Sequence, residues 1–359
     1  MYIFSNRLEN VYTFQALNTN LAFIEKIDET NKQLYINGIK VAYKNIGSFI
    51  LGNGFIVFST DKREILKLDI VSFETKKLLQ EFSLAEKLHF NQYFIVANRI
   101  SSEIVNKYVF DVIDEKKVKK IIDNPTIITK NWFLYRNSGN IRSQNWNDKT
   151  LWQYSVAELG KRKWVNGSET IKEEGQVSKI IGIMGEVLVV VITGGGDRDR
   201  ARTQLIGLHT QTGELCWLLD GFEHEGITYP HLPTTATLMP DAQNEFLVGF
   251  QNRYFIEIDP QVGKVTRCRK IDNQCQVHNL ATIMDSFSLQ GDHLYFRTSV
   301  SSMGGFPTAI GAFNYKTEEI EWLHVFEEGK FIPINQPKVE GNRVYALDSA
   351  NTLHIFERE

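Results

Sequence analysis

Eight times along the 359-residue chain, a short apolar run ends in a turn rich in Gly, Asn, Asp or Gln and restarts at once as a β-branched or aromatic run. The restarts fall at Leu21, Phe55, Tyr93, Trp132, Val187, Phe246, Leu294 and Val344, after segments such as Asn18-Thr19-Asn20, Gly52-Asn53-Gly54 and Met184-Gly185-Glu186. Such turns supply the positive φ that tight hairpins need, and the residues after them suit a pleated strand. The first three intervals between restarts are 34 to 39 residues and the next four 48 to 59. A strand-built repeat of that size is a propeller blade, a four-stranded antiparallel sheet that buries its faces only by stacking on its neighbours. Helical periodicity is absent throughout, which argues against an α/β fold.

The expected fold is therefore all-β: a single β-propeller domain spanning residues 1–359. Individual strands A to D can be placed. Residues 126–129, 132–135, 140–144 and 150–156 form one blade, and residues 243–248, 254–258 and 264–269 form B, C and D of another. The last unit supplies A, B and C (338–339, 344–347 and 352–356) and then stops. Tyr2-Ile3-Phe4 precedes a complete first unit, so the N-terminal strand is expected to complete the last blade and leave no open edge. The interval counted through the two ends, from Val344 to Leu21, is then 36 residues. That favours eight blades, with seven the alternative.

A chain of this length, 42% hydrophobic, can bury roughly 75% of its unfolded surface. Its net charge of -3 lacks the basic excess that general nucleic-acid or membrane-surface binding requires. The runs Asp114–Lys120 and Glu74–Lys77 read as solvated turns. The longest apolar runs, such as Val187–Ile192, are far below the roughly 20 residues that span a bilayer. The N-terminus has no basic segment followed by an apolar one, and Cys216, Cys268 and Cys275 form no CxxC pair. A cytoplasmic protein with reduced, buried structural thiols is expected.

The C-to-D turns carry a second pattern. It is clearest in Leu205-Ile206-Gly207-Leu208-His209-Thr210-Gln211-Thr212-Gly213-Glu214-Leu215-Cys216-Trp217, and it recurs from Ile310 to Trp322 and from Ile256 to Val265. This resembles the repeat of PQQ-like (quinoprotein-type) β-propellers, in which an Ala-x-Asp-x-x-Thr-Gly segment turns into a strand whose Trp docks against the neighbouring blade. The resemblance implies the fold and a packing role for Trp217 and Trp322. It does not carry quinone chemistry: many quinoprotein dehydrogenases hold adjacent cysteines beside the cofactor, and this chain has no Cys-Cys pair. No cofactor is expected.

The longer intervals hold their extra length in the D-to-A connections (160–176, 221–233, 272–284 and 327–336) and the B-to-C connections (193–203 and 299–307). Both kinds open on one face of a propeller, so a thickened rim over blades four to seven is the expected working surface. Arg198, Arg200 and Arg202, in a Gly-rich loop, can fork onto carboxylate or phosphate, although the Lys-Ser/Thr ending of a P-loop is missing. Phe222, Tyr229, Met303, Phe306 and Phe331 add the aromatic and Met content of an interface core; the alternative is that they tuck under their own loops. His224, His231 and His278, with Glu223 or Glu225, have the chemistry of a metal or acid-base site but match no zinc spacing. There is no nucleophile elbow. A non-catalytic protein-binding scaffold, in one form an inhibitor or immunity-type partner, is the preferred reading. An enzyme or small-ligand or metal binder at the mouth of the central channel is the alternative.

Overall fold

A computed structural model of the chain describes residues 2–28, 31–85, 92–99, 105–159, 162–166, 169–194, 203–229, 238–241, 243, 245–251, 253–300, 307–327, 330, 332 and 337–358. Eight four-stranded antiparallel sheets follow one another, the arrangement of an eight-bladed β-propeller. Blade one pairs Val11–Leu17, Asn20–Lys26, Lys32–Ile36 and Ile39–Lys44; blade two Ser48–Gly52, Phe55–Ser59, Glu64–Asp69 and Thr75–Gln80. Blade three is Ser83–Leu84, Tyr93–Arg99, Val105–Asp111 and Lys116–Ile121; blade four Ile127–Ile128, Trp132–Arg136, Asn140–Asn145 and Thr150–Ser155. Blade five is Gln176–Met184, Val187–Thr193, Thr203–His209 and Leu215–Leu219; blade six Met239–Asp241, Phe246–Gln251, Tyr254–Asp259 and Lys264–Lys270. Blade seven is Leu280–Gln290, His293–Val300, Ala309–Asn314 and Glu319–Val325. Blade eight joins Lys338–Glu340, Arg343–Leu347 and Leu353–Arg358 to the N-terminal Tyr2–Leu8, so the first strand completes the last sheet as the sequence leads one to expect.

The chain forms two compact units, one of Met1–Phe133 with Pro333–Glu359 and one of Leu134–Ile332. Within each, apolar layers lie between successive blades. In the first unit Ile24, Leu34 and Ile36 of blade one meet Phe49, Leu51, Ile56 and Phe58 of blade two. Val11, Phe14 and Phe23 meet Tyr345, Leu347 and Leu353 of blade eight. In the second unit Val189, Val191 and Trp217 of blade five meet Leu247, Ile256 and Val265 of blade six. Phe250 and Phe255 of blade six meet Phe296, Phe313 and Tyr315 of blade seven. A central strand covered on both sides reads as a continuous apolar run, as in Val187–Ile192, which is buried throughout.

Turn chemistry sets the two faces of each blade. Asn18, Gly54, Gly185, Glu245, Gly291 and Gly341 in the A-to-B turns all have positive φ. These turns sit beside the C-to-D turns of their own blades: Ile70 N–H donates to Gly54 O, Thr210 N–H to Glu186 O and Tyr315 N–H to Asp292 O. The D-strand ends sit beside the B-to-C turns: Val156 N–H donates to Gly139 O, Ile271 N–H to Arg253 O and Phe326 N–H to Thr308 O.

Blades two to seven share one C-to-D turn. The residue ending strand C (Asp69, Asp111, Asn145, His209, Asp259 or Asn314) accepts backbone N–H groups two to four residues on. This is the side-chain-to-backbone turn that short polar residues favour. Three or four residues on, a residue takes a left-handed φ: Phe73, Glu115, Asp148, Gly213, Gly263 or Glu318.

The tryptophans dock on these turns. Trp217 Nε1–H of blade five donates to Pro260 O of blade six at 2.8 Å, and its ring lies between Gly207 and Gly263. Trp152 Nε1–H of blade four donates to Thr210 O of blade five at 2.8 Å, with its ring over Gly213. A small residue faces each Trp from strand C: Ser143 pairs with Trp152, Gly207 with Trp217 and Ala312 with Trp322. The expected inter-blade packing role is thus met for Trp217, and Trp152 shares it.

Two details depart from the sequence reading. One short helix, Asp272–Val277, occupies the connection after blade six, and strand A of blade seven begins at Leu280, so much of 272–284 is ordered structure rather than loop. Cys268 and Cys275 are buried, but Cys216 is exposed, because it points away from the Trp217 side of an outer strand. Among the described residues no helix is long and apolar enough to cross a membrane.

Candidate functional site

The D-to-A connections divide sharply by length. After blades one, two and three they are residues 45–47, 81–82 and 122–126; after blades four, five, six and seven they are 156–175, 220–238, 271–279 and 326–337. The long ones carry added structure. After blade four comes a hairpin of Arg162–Asn166 with Glu169–Glu173, after blade five a hairpin of Phe222–His224 with Ile227–Tyr229, and after blade six the helix. The connections after blades four, six and seven leave from strand ends that sit beside the B-to-C turns of their own blades.

The second hairpin is built around a two-residue turn, Glu225-Gly226, with φ of 51° and 76°. Two positive φ values match the right-handed twist of the flanking strands. Phe222 pairs with Tyr229, and their rings stack at 4.5 Å and 13°. Tyr229 meets Tyr254 edge-on at 5.8 Å, and all three pack against the apolar layer between blades five and six. Burial, with Cys268 as its polar neighbour, pushes the Tyr229 hydroxyl up to about 12. The neutral phenol is therefore held, and the buried Cys268 thiol is likewise raised by desolvation.

A polar strip ties this hairpin to the outer strand of blade six. His224 Nε2 accepts the backbone N–H of Cys268 at 3.3 Å. Arg269 Nη1 donates to Glu225 Oε1 at 2.6 Å, and that guanidinium holds the Glu225 carboxyl below the usual carboxylate range. Arg269 also lies 3.7 Å from Glu318 Oε1 in the C-to-D turn of blade seven. Arg267 pairs with Glu257 at 3.2 Å and stacks 4.7 Å over the Phe255 ring. Outside this strip Ile227, beside the hairpin tip, is 56% exposed, and Val277, ending the helix, is 77% exposed.

The candidates named from sequence are thus distributed unevenly. Phe222 and Tyr229 come together but face inward, tucked under their own hairpin and held by blade six. Arg198, Arg200, Arg202, Met303, Phe306, Phe331 and His231 lie outside the described residues. His224 has its acceptor nitrogen engaged by Cys268, while His278 caps the far end of the helix after blade six. Among the described residues no three His, Cys, Asp or Glu side chains are placed to hold a metal ion. Sequence reasoning missed the hairpin, whose signal was Glu225-Gly226 between paired aromatic positions. It also missed Arg267 and Arg269, which carry no signal beyond their alternation on an outer strand.

No protein-family model matches the chain, and no curated protein matches it in sequence. Solved structures do match it over nearly its whole length. BamB from Moraxella catarrhalis, a PQQ-like β-propeller protein, aligns with a TM-score of 0.55 and 12% identity over 99% of this chain and 100% of that one. Sqt1 of Saccharomyces cerevisiae aligns with a TM-score of 0.54 and 11% identity over 100% of this chain and 98% of that one. At such identities the likeness is one of fold. It agrees with the eight four-stranded blades and with a PQQ-like resemblance at the level of the fold.

Proposed function

We propose that this chain is a non-catalytic protein-binding propeller that grips a partner with the rim of blades four to seven. The observation that carries the reading is the placement of the added structure: two hairpins and a helix on successive D-to-A connections, against connections of a few residues in the first three blades. Loops on a rigid sheet scaffold are where binding groups concentrate. Ile227 and Val277 offer exposed apolar side chains there. Phe331 belongs by sequence to the connection after blade seven, and Arg198, Arg200, Arg202, Met303 and Phe306 to the B-to-C connections of blades five and seven; together they have the composition of binding hot spots. Phe222 and Tyr229 serve as the packed base of the rim rather than as its contact surface.

The specific form we favour is an inhibitor or immunity-type partner that covers the active site of a toxin or enzyme, with the arginines meeting acidic groups and Phe306 as an apolar anchor. Affinity capture of the tagged protein from its native cells, followed by mass spectrometry, tests this. One stoichiometric protein is expected with the parent chain and is expected to be lost when Arg198, Arg200 and Phe306 are changed to Ala. Its retention by that variant would remove those residues from the interface.

A further inference from the structure

We propose that the hairpin of Phe222–His224 and Ile227–Tyr229 is a pH-responsive strap, held on the outer strand of blade six by neutral His224 and loosened when that imidazole takes up a proton. Lys264–Lys270 is the outermost strand of its sheet, so its outward N–H groups have no neighbouring strand to receive them. The hairpin satisfies one of them with a side chain: His224 Nε2 receives Cys268 N–H at 3.3 Å. A ring nitrogen accepts only while it carries no proton. Protonation turns Nε2 into a donor facing another donor, and the hydrogen bond is replaced by repulsion.

The surrounding charges set what the protonated ring would meet. Glu223 and Glu225 belong to the hairpin itself, with Glu225 Oε1 3.8 Å from His224 Nε2. That oxygen is already engaged by Arg269 at 2.6 Å. The strand beneath contributes Arg267, the Cys268 thiol, Arg269 and Lys270. Tyr254 comes from strand C of blade six, and Glu318, beside both arginines, from blade seven. Glu225 is thus half of an existing ion pair, and Cys268, whose N–H His224 receives, lies between Arg267 and Arg269 on the strand. The His224 side chain is only 15% exposed, which limits how far it can turn toward water without lifting the hairpin. Release would uncover the stacked Phe222 and Tyr229 rings together with the edge of blade six, changing the apolar content of the rim on acidification. This holds whether or not the rim's partner is a protein.

The test is amide hydrogen exchange on the full chain between about pH 8 and about pH 5.5, the range in which imidazoles titrate, with rates corrected for the intrinsic pH effect. For the parent chain, protection of Cys268 and of residues 222–229 is expected to fall by about fivefold or more, the equivalent of one net hydrogen bond. His224→Gln supplies a side-chain oxygen acceptor that does not titrate, and its protection is expected to stay level across the range. Nitrogen NMR of the imidazole at the upper pH is expected to show the proton on Nδ1. Protection that does not change in the parent chain, an equal fall in His224→Gln, or a proton on Nε2 at the upper pH would each overturn the proposal.

Discussion

Gly263→Ala isolates the contact that joins blade five to blade six. Gly263 has φ +65°, and an added Cβ would lie 2.4 Å from Trp217 Cδ2 and 2.5 Å from Cε3. The left-handed backbone alone costs an L-residue about 1 to 2 kcal/mol. The ring cannot yield toward its other face, because Gly207 already packs there, with its own hypothetical Cβ 2.3 Å from Trp217 Cε2. Trp217 must therefore leave, giving up the 2.8 Å bond from Nε1–H to Pro260 O, worth about 1 kcal/mol, and forcing a repacking worth about 1 kcal/mol or more. A loss of roughly 3 to 4 kcal/mol is expected. Gly291→Ala is the control: φ is +56°, nothing lies within 4 Å, and only the backbone cost of about 1 to 2 kcal/mol applies. Urea unfolding followed by tryptophan fluorescence compares the two. In a Trp217→Ala background, Gly263→Ala should cost no more than the control. Equal costs for Gly263→Ala and Gly291→Ala in the parent chain would refute the docking of Trp217 as the constraint on this turn.

Other expectations follow from buried polar groups and from the closing strand. Tyr315 O–H donates to the buried Asp241 at 2.8 Å, so Tyr315→Phe should lower unfolding stability by about 1 to 3 kcal/mol in urea titration. Burial raises the Asp348 carboxyl, but hydrogen bonds from His354 and from the Thr352 and Ala350 N–H groups outweigh it, leaving Asp348 below the ordinary range of an aspartate. A depressed carboxyl contributes stability that is present above the unfolded value and lost as pH falls through the folded one. The stability gap between the parent chain and Asp348→Ala should therefore narrow below about pH 4. Deleting residues 1–8 strips the ladder that runs from the Tyr2–Arg358 pair to the Leu8–Leu353 pair. The open edge of Leu353–Arg358 should give a lower melting temperature and concentration-dependent association in size-exclusion chromatography.

Much of the fold was legible because it rests on residues with few alternatives. Gly54, Gly185, Gly291 and Gly341 take left-handed conformations that other residues resist, so their spacing marked the blades. The C-to-D repeat was less visible for a physical reason. Asp69, Asn145 and His209 cap their turns with different atoms, and the left-handed position after them is Gly in two blades but Phe73, Glu115, Asp148 or Glu318 in the others. One conformation therefore hides behind several sequences. The rim was legible as excess length, since insertions must go where they do not break a sheet. Its internal arrangement was not. Phe222 and Tyr229 carry the same letters whether they face a partner or their own scaffold, and the Arg269–Glu225 pair joins residues 44 apart in sequence.

The most direct test of partner binding through the rim is the affinity of the captured partner for two charge insertions, measured by calorimetry. Ile227→Glu places a carboxylate on the exposed hairpin after blade five, and Val262→Glu places one in the C-to-D turn of blade six, where Val262 is 60% exposed. Binding through the rim predicts a loss of about tenfold or more for Ile227→Glu and less than about twofold for Val262→Glu. Equal losses, or the larger loss at Val262, would contradict it.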